Sequence, residues 1–334
     1  MNNVSMKNEK FCIFAILLSI ARYTLLIAHC LLLIAHCSFS AYAQQNPLTI
    51  AIIQPHDVTA YQEAVEGFLK SLRRQLKQDF NTVIYESPQG LYTTLQQEKN
   101  SSKPSTMALI LTVGTEATAA IARTVTNIPI VFTMVLDPES ILHQRHDIVG
   151  ASLNIPAEFQ LNMIKELLPN AEKIGIIYDP NKNAGFVEDN TVLAEKFHLH
   201  IKPFSVTSQK DIPKALEQLS READVLWGIV DNTVYTSRTT EFIIRYTVKE
   251  HIPFIGISAS YVKAGALCAL VFDNKDIGRQ SAELAARILS ATPASELQIT
   301  TPESIHLAIH LRTAEIIGVK IPQVIREKAA IVYE

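Results

Sequence analysis

The chain has 334 residues, 48% of them hydrophobic and 19% charged, with a formal net charge of −3. That length allows about two domains. The composition excludes a low-complexity tract, and the charge gives no electrostatic case for a nucleic-acid partner, so a small molecule is the expected one.

Lys7 and Lys10 precede an apolar run over 11–37, and the small-x-small triplet Ala41-Tyr42-Ala43 follows it. This is the order of a secretory signal cleaved after Ala43. The run exceeds the usual length of a signal core, which makes an uncleaved membrane anchor the competing reading. Leu-Ile-Ala-His-Cys occurs at 26–30 and again at 33–37, as a short duplication would leave it. His29 and His36 stand where a lipoprotein signal needs a small residue, so lipidation at Cys30 or Cys37 is the lesser reading. With Cys12, Cys30 and Cys37 in this segment, Cys268 is the one cysteine of the mature chain and reads as a buried small hydrophobe.

Short β-branched runs then alternate with amphipathic stretches. Strands are expected over 48–54, 82–85, 107–113 and 128–136, and helices over 61–76, 91–98 and 116–125. The cycle restarts with a helix over 157–168 and strand 173–178, and continues through strands 200–206, 224–230, 253–257 and 266–272. Helices are expected between them at 185–197, 212–222 and 236–251, then at 277–289 and 313–317, with a late strand at 305–309. Continuous apolar strands separated by helices indicate parallel sheets covered on both faces. The fold class is therefore α/β, with two Rossmann-like lobes of parallel sheet joined by a multi-strand hinge. The expected division is a signal peptide over 1–43, an N-terminal lobe over 44–152, and a C-terminal lobe over 153–334 with crossovers near 258–265 and 300–310.

Ligands of open α/β sheets bind beyond the carboxyl ends of the strands. The candidates there are Gln54, His56, Gly114, Thr115 and Asp137 in the first lobe, and Tyr178, Asp231 and Asn232 in the second. Gly114-Thr115 opens a helix, whose free N–H groups favour a carboxylate; Thr115 acting only as a cap is an equal reading. Asp137 or Asp231 suits an ammonium group, and for Asp231 ligand and cap weigh evenly. Trp227, inside a strand, reads as core.

The stretches 128–138 (IPIVFTMVLDP), 148–152 (IVGAS), 160–169 (QLNMIKELLP) and 173–181 (KIGIIYDPN) carry a resemblance. So do Asp231-Asn232-Thr233-Val234, 252–257, Gly265-Ala266-Leu267, Asp276-Ile277-Gly278, and 313–322 with Ala314, Gly318 and Pro322. In this order they resemble the ABC-transporter substrate-binding proteins related to TrpX-type aromatic amino-acid receptors, over essentially the whole mature chain. The resemblance implies the type I periplasmic-binding-protein fold and a periplasmic location. It also implies a small ligand, an amino acid with aromatic favoured, and an ABC permease in the inner membrane as partner. A monomer without cofactor is expected, and no nucleic acid. Gln54-Pro55-His56-Asp57 departs from the His-Pro-containing turn of many members, which bears on the first-lobe contacts.

No Gly-x-Ser-x-Gly elbow, Walker loop or Gly-x-Gly-x-x-Gly fingerprint is present, and the pairs His143/His146, His198/His200 and His306/His310 lack companion ligands, so neither an enzyme nor a metal site is expected. A periplasmic sensor passing its signal to a membrane partner keeps the same fold and is the alternative use.

Overall fold

The alternating strands and helices assemble, in the computed structural model, as two α/β lobes; residues 48–334 are described, apart from 56, 77, 101–106 and 143–144. The expected signal peptide, His56 and His143 lie outside the described residues. No helix among the described residues is long and apolar enough to cross a membrane.

The first lobe runs β1 (Leu48–Ile53), α1 (Thr59–Gln75), β2 (Phe80–Tyr85), α2 (Pro88–Asn100), β3 (Met107–Val113), α3 (Thr115–Thr124), β4 (Ile130–Val135), α4 (Pro138–Leu142) and β5 (Ile148–Ser152). Its strands lie in the order β2-β1-β3-β4-β5, with β1–β3, β3–β4 and β4–β5 parallel. The second lobe continues with α5 (Ala157–Leu167), β6 (Lys173–Tyr178), α6 (Pro180–Glu195), β7 (His200–Ser205), α7 (Ile212–Glu222), β8 (Val225–Trp227), α8 (Ser237–Lys249), β9 (Phe254–Ile255), α9 (Ala259–Lys263) and β10 (Cys268–Phe272). After α10 (Asn274–Leu289) come β11 (Ile305–His310), α11 (Leu311–Ile317), α12 (Gln323–Lys328) and β12 (Ala329–Tyr333). The second sheet has the order β12-β11-β10-β9-β8-β6-β7.

Both sheets are covered on both faces, and the period of two along each strand explains how. In β1, Ile50 and Ile52 enter one apolar cluster with Phe68 and Leu72, while Ala51 and Ile53 enter another with Leu91 and Ile121. In β6, Ile174 and Ile176 pack with Trp227 and Leu161, whereas Ile177 packs with Leu216 and Leu219. Trp227 is fully buried, donating its Nε1–H to Gln160 Oε1 at 2.9 Å, as its strand position suggested. Cys268 is also fully buried, and burial pushes its thiol far up from the ordinary range.

The crossovers differ from expectation in one place. The segment 258–265 holds α9, which joins the parallel neighbours β9 and β10 within the second sheet. The chain returns to the first lobe at Asp273, and α10 packs there: Ile277, Ala282, Leu284, Ala285 and Ala286 join the cluster of Ile50 and Phe68. The reason is close approach. A Cβ on Gly278 would lie 1.8 Å from the Ala64 carbonyl oxygen, and one on Gly67 would lie 2.1 Å from that of Lys275, so the two helices meet backbone to backbone. Lys275–Glu66 at 2.9 Å and Asn274 Nδ2 donating to Glu63 at 2.8 Å flank that contact. The next crossover falls at 300–305, where Thr300 pairs with the β5 edge through Thr300 N–H to Gly150 O at 3.0 Å and Ser152 N–H to Thr300 O at 2.8 Å. Because β10 leaves toward the first lobe and β11 arrives from it, that pair alone is antiparallel in the second sheet.

Candidate functional site

The order β2-β1-β3-β4-β5 changes direction between β1 and β3; the second sheet does the same between β6 and β8. Chains leave such a switch point on opposite faces and open a crevice at the carboxyl ends, where open α/β sheets take their ligands. The candidate residues read from the sequence fall on these two crevices and on the strand beside the first.

At the first crevice, β1 ends on Gln54, which is buried and donates its backbone N–H to Tyr85 O at 2.9 Å. His56 lies outside the described residues. Gly114 follows β3 with φ +87°, a left-handed conformation suited to glycine, and is the cap position of α3 without a capping side chain. Thr115 does not cap the helix. It is the first helical residue, and its hydroxyl accepts the Leu136 N–H at 3.3 Å, tying α3 to the end of β4. The start of α1 is likewise without a capping side chain at Val58. Two helix starts without a side-chain cap at Val58 and Gly114 therefore stand beyond β1 and β3.

The end of β4 is strained. Met134 and Asp137 adopt φ +57° and +48°, and the β4–β5 register shifts between Phe132 and Val135. Asp137 is held by its backbone N–H to Asn154 Oδ1 at 3.1 Å, while its exposed carboxylate makes no hydrogen bond among the described residues. Sequence reading missed Tyr61. This residue sits in the first turn of α1, and its hydroxyl fills the space over Gly114, where an added Cβ would come within 2.5 Å of it. The signal was available as the first aromatic after β1, at a helix start.

The second crevice is filled by the chain's own groups. Asp231 is buried, and its Oδ2 accepts the Asp179 N–H at 2.7 Å and Asn183 Nδ2 at 2.9 Å; its Oδ1 accepts the N–H groups of Thr233 at 2.9 Å and Val234 at 3.2 Å. A carboxylate has about four acceptor positions, so this geometry favours the cap over the ammonium partner. Asp179 caps α6 by accepting the Asn181 N–H at 3.0 Å, and takes the Thr233 hydroxyl at 2.8 Å on its other oxygen. Hydrogen bonds from the Thr233 hydroxyl and then the Asn181 N–H hold its carboxyl below the usual carboxylate range. Asn232 Oδ1 accepts from Lys182 Nζ, which also reaches Thr233 Oγ1 at 2.8 Å. Tyr178 is half-buried against the core. Tyr235 stacks on Phe254 at 6.2 Å and meets Tyr261 edge-on, so it belongs to a packed aromatic cluster.

Elsewhere, a surface pocket between α2 and the α3–β4 turn, lined by Tyr92, Gln96, Thr124 and Asn127, lies at the opposite, amino end of β4. Among the described residues no group of three or more His, Cys, Asp or Glu side chains could hold a metal ion.

A doubly wound lobe repeated, with three chain crossovers between the copies, is the type I periplasmic-binding-protein fold. Residues 49–333 match the family model described as ABC transporter substrate binding protein, and the chain belongs to that family. Proteins of this family bind a small molecule and deliver it to an ABC permease; they are not enzymes. A relative, the tyrosine-binding protein of Clostridioides difficile, is 23% identical over 271 residues, covering 78% of each chain. The ligand-free, open structure of a Clostridium difficile substrate-binding protein with adhesive properties has a TM-score of 0.69 at 20% identity, covering 86% of this chain and 99% of that one. A Streptococcus pneumonia ABC domain in complex with L-Trp has a TM-score of 0.60 at 20% identity, covering 86% and 100%.

Proposed function

We propose that this chain is the solute-binding component of an ABC importer and captures an amino acid, aromatic favoured, in a cleft between its lobes. The supporting observation is topological. β5 leaves the first sheet at its carboxyl end and β10 leaves the second at its carboxyl end, so the crossovers join the two edges that carry the crevices. The named ligands of the relatives, tyrosine and L-Trp, support the ligand class.

In this reading the uncapped start of α3 at Gly114-Thr115 receives the ligand carboxylate, and Asp137 meets its ammonium group by a charge-assisted bond. Gln54 and His56 complete the first-lobe side. Tyr178, Asn232 and the loop braced by Asp231 form the opposing wall. The chain is exported by its N-terminal signal to the periplasm, works as a monomer and hands its ligand to an inner-membrane permease.

The test is calorimetry and thermal melting of the purified protein against tyrosine, tryptophan, phenylalanine and the branched amino acids. A bound ligand at about one hundred times its Kd adds about 2.7 kcal/mol of stability, a readily measured melting shift. No heat and no shift with any of them overturns the ligand assignment.

A further inference from the structure

We infer that Tyr61 is a ligand-contacting residue of the first lobe whose hydroxyl donates a hydrogen bond to the ligand's carboxylate. The inference rests on the amino-acid-binding reading above and adds a residue to it.

Three observations converge on this side chain. Its position comes first: Tyr61 stands in the first turn of the helix after β1, and its hydroxyl lies against Gly114 after β3, so it spans the β1/β3 switch point. An added Cβ at Gly114 would meet Oη at 2.5 Å, Cζ at 2.8 Å and Cε2 at 3.0 Å. The glycine thus leaves room for the phenol, and no other side chain is needed to bring the hydroxyl there.

The second observation is its unspent chemistry. The ring is partly buried against the cluster of Ile50, Phe68 and Leu111, which fixes its direction. The half-buried hydroxyl has no hydrogen-bond partner among the described residues, which leaves it open to solvent or a ligand. Tyr92, by contrast, is spent within the fold, donating to Ala120 O at 2.9 Å and accepting from Thr124 at 2.8 Å. A ring held by packing therefore presents a partly accessible hydroxyl, not taken up by a described protein group, at the crevice.

The third is its protonation. Burial first, and the Glu116 carboxylate second, raise the phenol above its ordinary range, so the group is a neutral donor at any working pH. Glu116 itself is exposed in the first turn of α3 and offers no donor. Beside the N–H groups of that turn and the Thr115 hydroxyl, the phenol O–H is a side-chain donor for a carboxylate.

Tyr61→Phe isolates the hydroxyl. For the amino acid that the wild type binds, calorimetry should show Kd raised roughly ten- to a hundredfold, the effect of losing a hydrogen bond to a charged group. The ligand-free melting temperature should stay at the wild-type value, because no protein group loses a partner. An unchanged Kd overturns the inference while leaving the binding function intact. A fall in the ligand-free melting temperature that accounts for the lost affinity also overturns it, by assigning the hydroxyl to the fold. If the wild type itself binds no amino acid, the function fails first and the inference with it.

Discussion

The two switch-point crevices are built from the same topology and are finished in opposite ways. Beyond β1 and β3 the following helices start at Val58 and Gly114 without side-chain caps. Beyond β6 and β8 every start is closed: Asp179 caps α6, Thr236 and Thr239 cap α8 reciprocally, and Asp231 ties both strand ends together. The same fold element therefore serves binding in one lobe and rigidity in the other. What differs is whether backbone donors are consumed by the chain or left open.

The sharpest way to break that contrast is Asp231→Ala. It strips the acceptor from three backbone N–H groups and from Asn183, and should cost about 3 kcal/mol in urea unfolding. If the carboxylate is only a brace, ligand affinity measured below the unfolding transition should change much less than stability does. Gly114→Ala attacks the open crevice instead. The left-handed φ and the clash with Tyr61 should cost about 1–2 kcal/mol of stability and weaken ligand binding more than any equally destabilising change in the second crevice. In the ligand-free protein Thr115→Val removes the long bond from Leu136 N–H, with an expected loss of about 0.5–1 kcal/mol by the same unfolding assay.

The smallest effect is one that acid removes. Because Asp179 titrates below its unfolded value, about 3.9, its contribution is complete above that pH and is lost as pH falls through the lower folded value. Asp179→Asn should therefore differ from wild type in urea midpoint at pH 7, and the difference should shrink below about pH 4. A constant difference across that range would remove Thr233 and Asn181 as the source of the shift.

Much of the fold was legible because it is written in short-range pattern. The run 107–113 and the run 173–178 were read at the bounds they adopt as β3 and β6, since continuous apolar strands need no distant information. The short or exposed elements were not legible: β12 alternates half-buried and exposed residues at the sheet edge, and α9 and α12 are only five and six residues long. The helix α10 was clear, but its lobe was not. An apolar stripe states that a helix packs, and both lobes offered a sheet; the backbone contact of Gly278 with Ala64 decides between them.

For the site, the sequence by itself determined which residues follow strands, and so where a ligand of an α/β protein belongs. Only the tertiary structure decided which of them are free. Asp137 and Asp231 are alike in sequence, each an acid after an apolar strand, yet one carboxylate is exposed with no hydrogen bond among the described residues and the other holds four donors. Local sequence fixes a side chain's chemistry and its place on an element. Whether that chemistry is already satisfied depends on groups about fifty residues away, such as Asp179 and Asn183 facing Asp231, which meet it only once the sheet has formed.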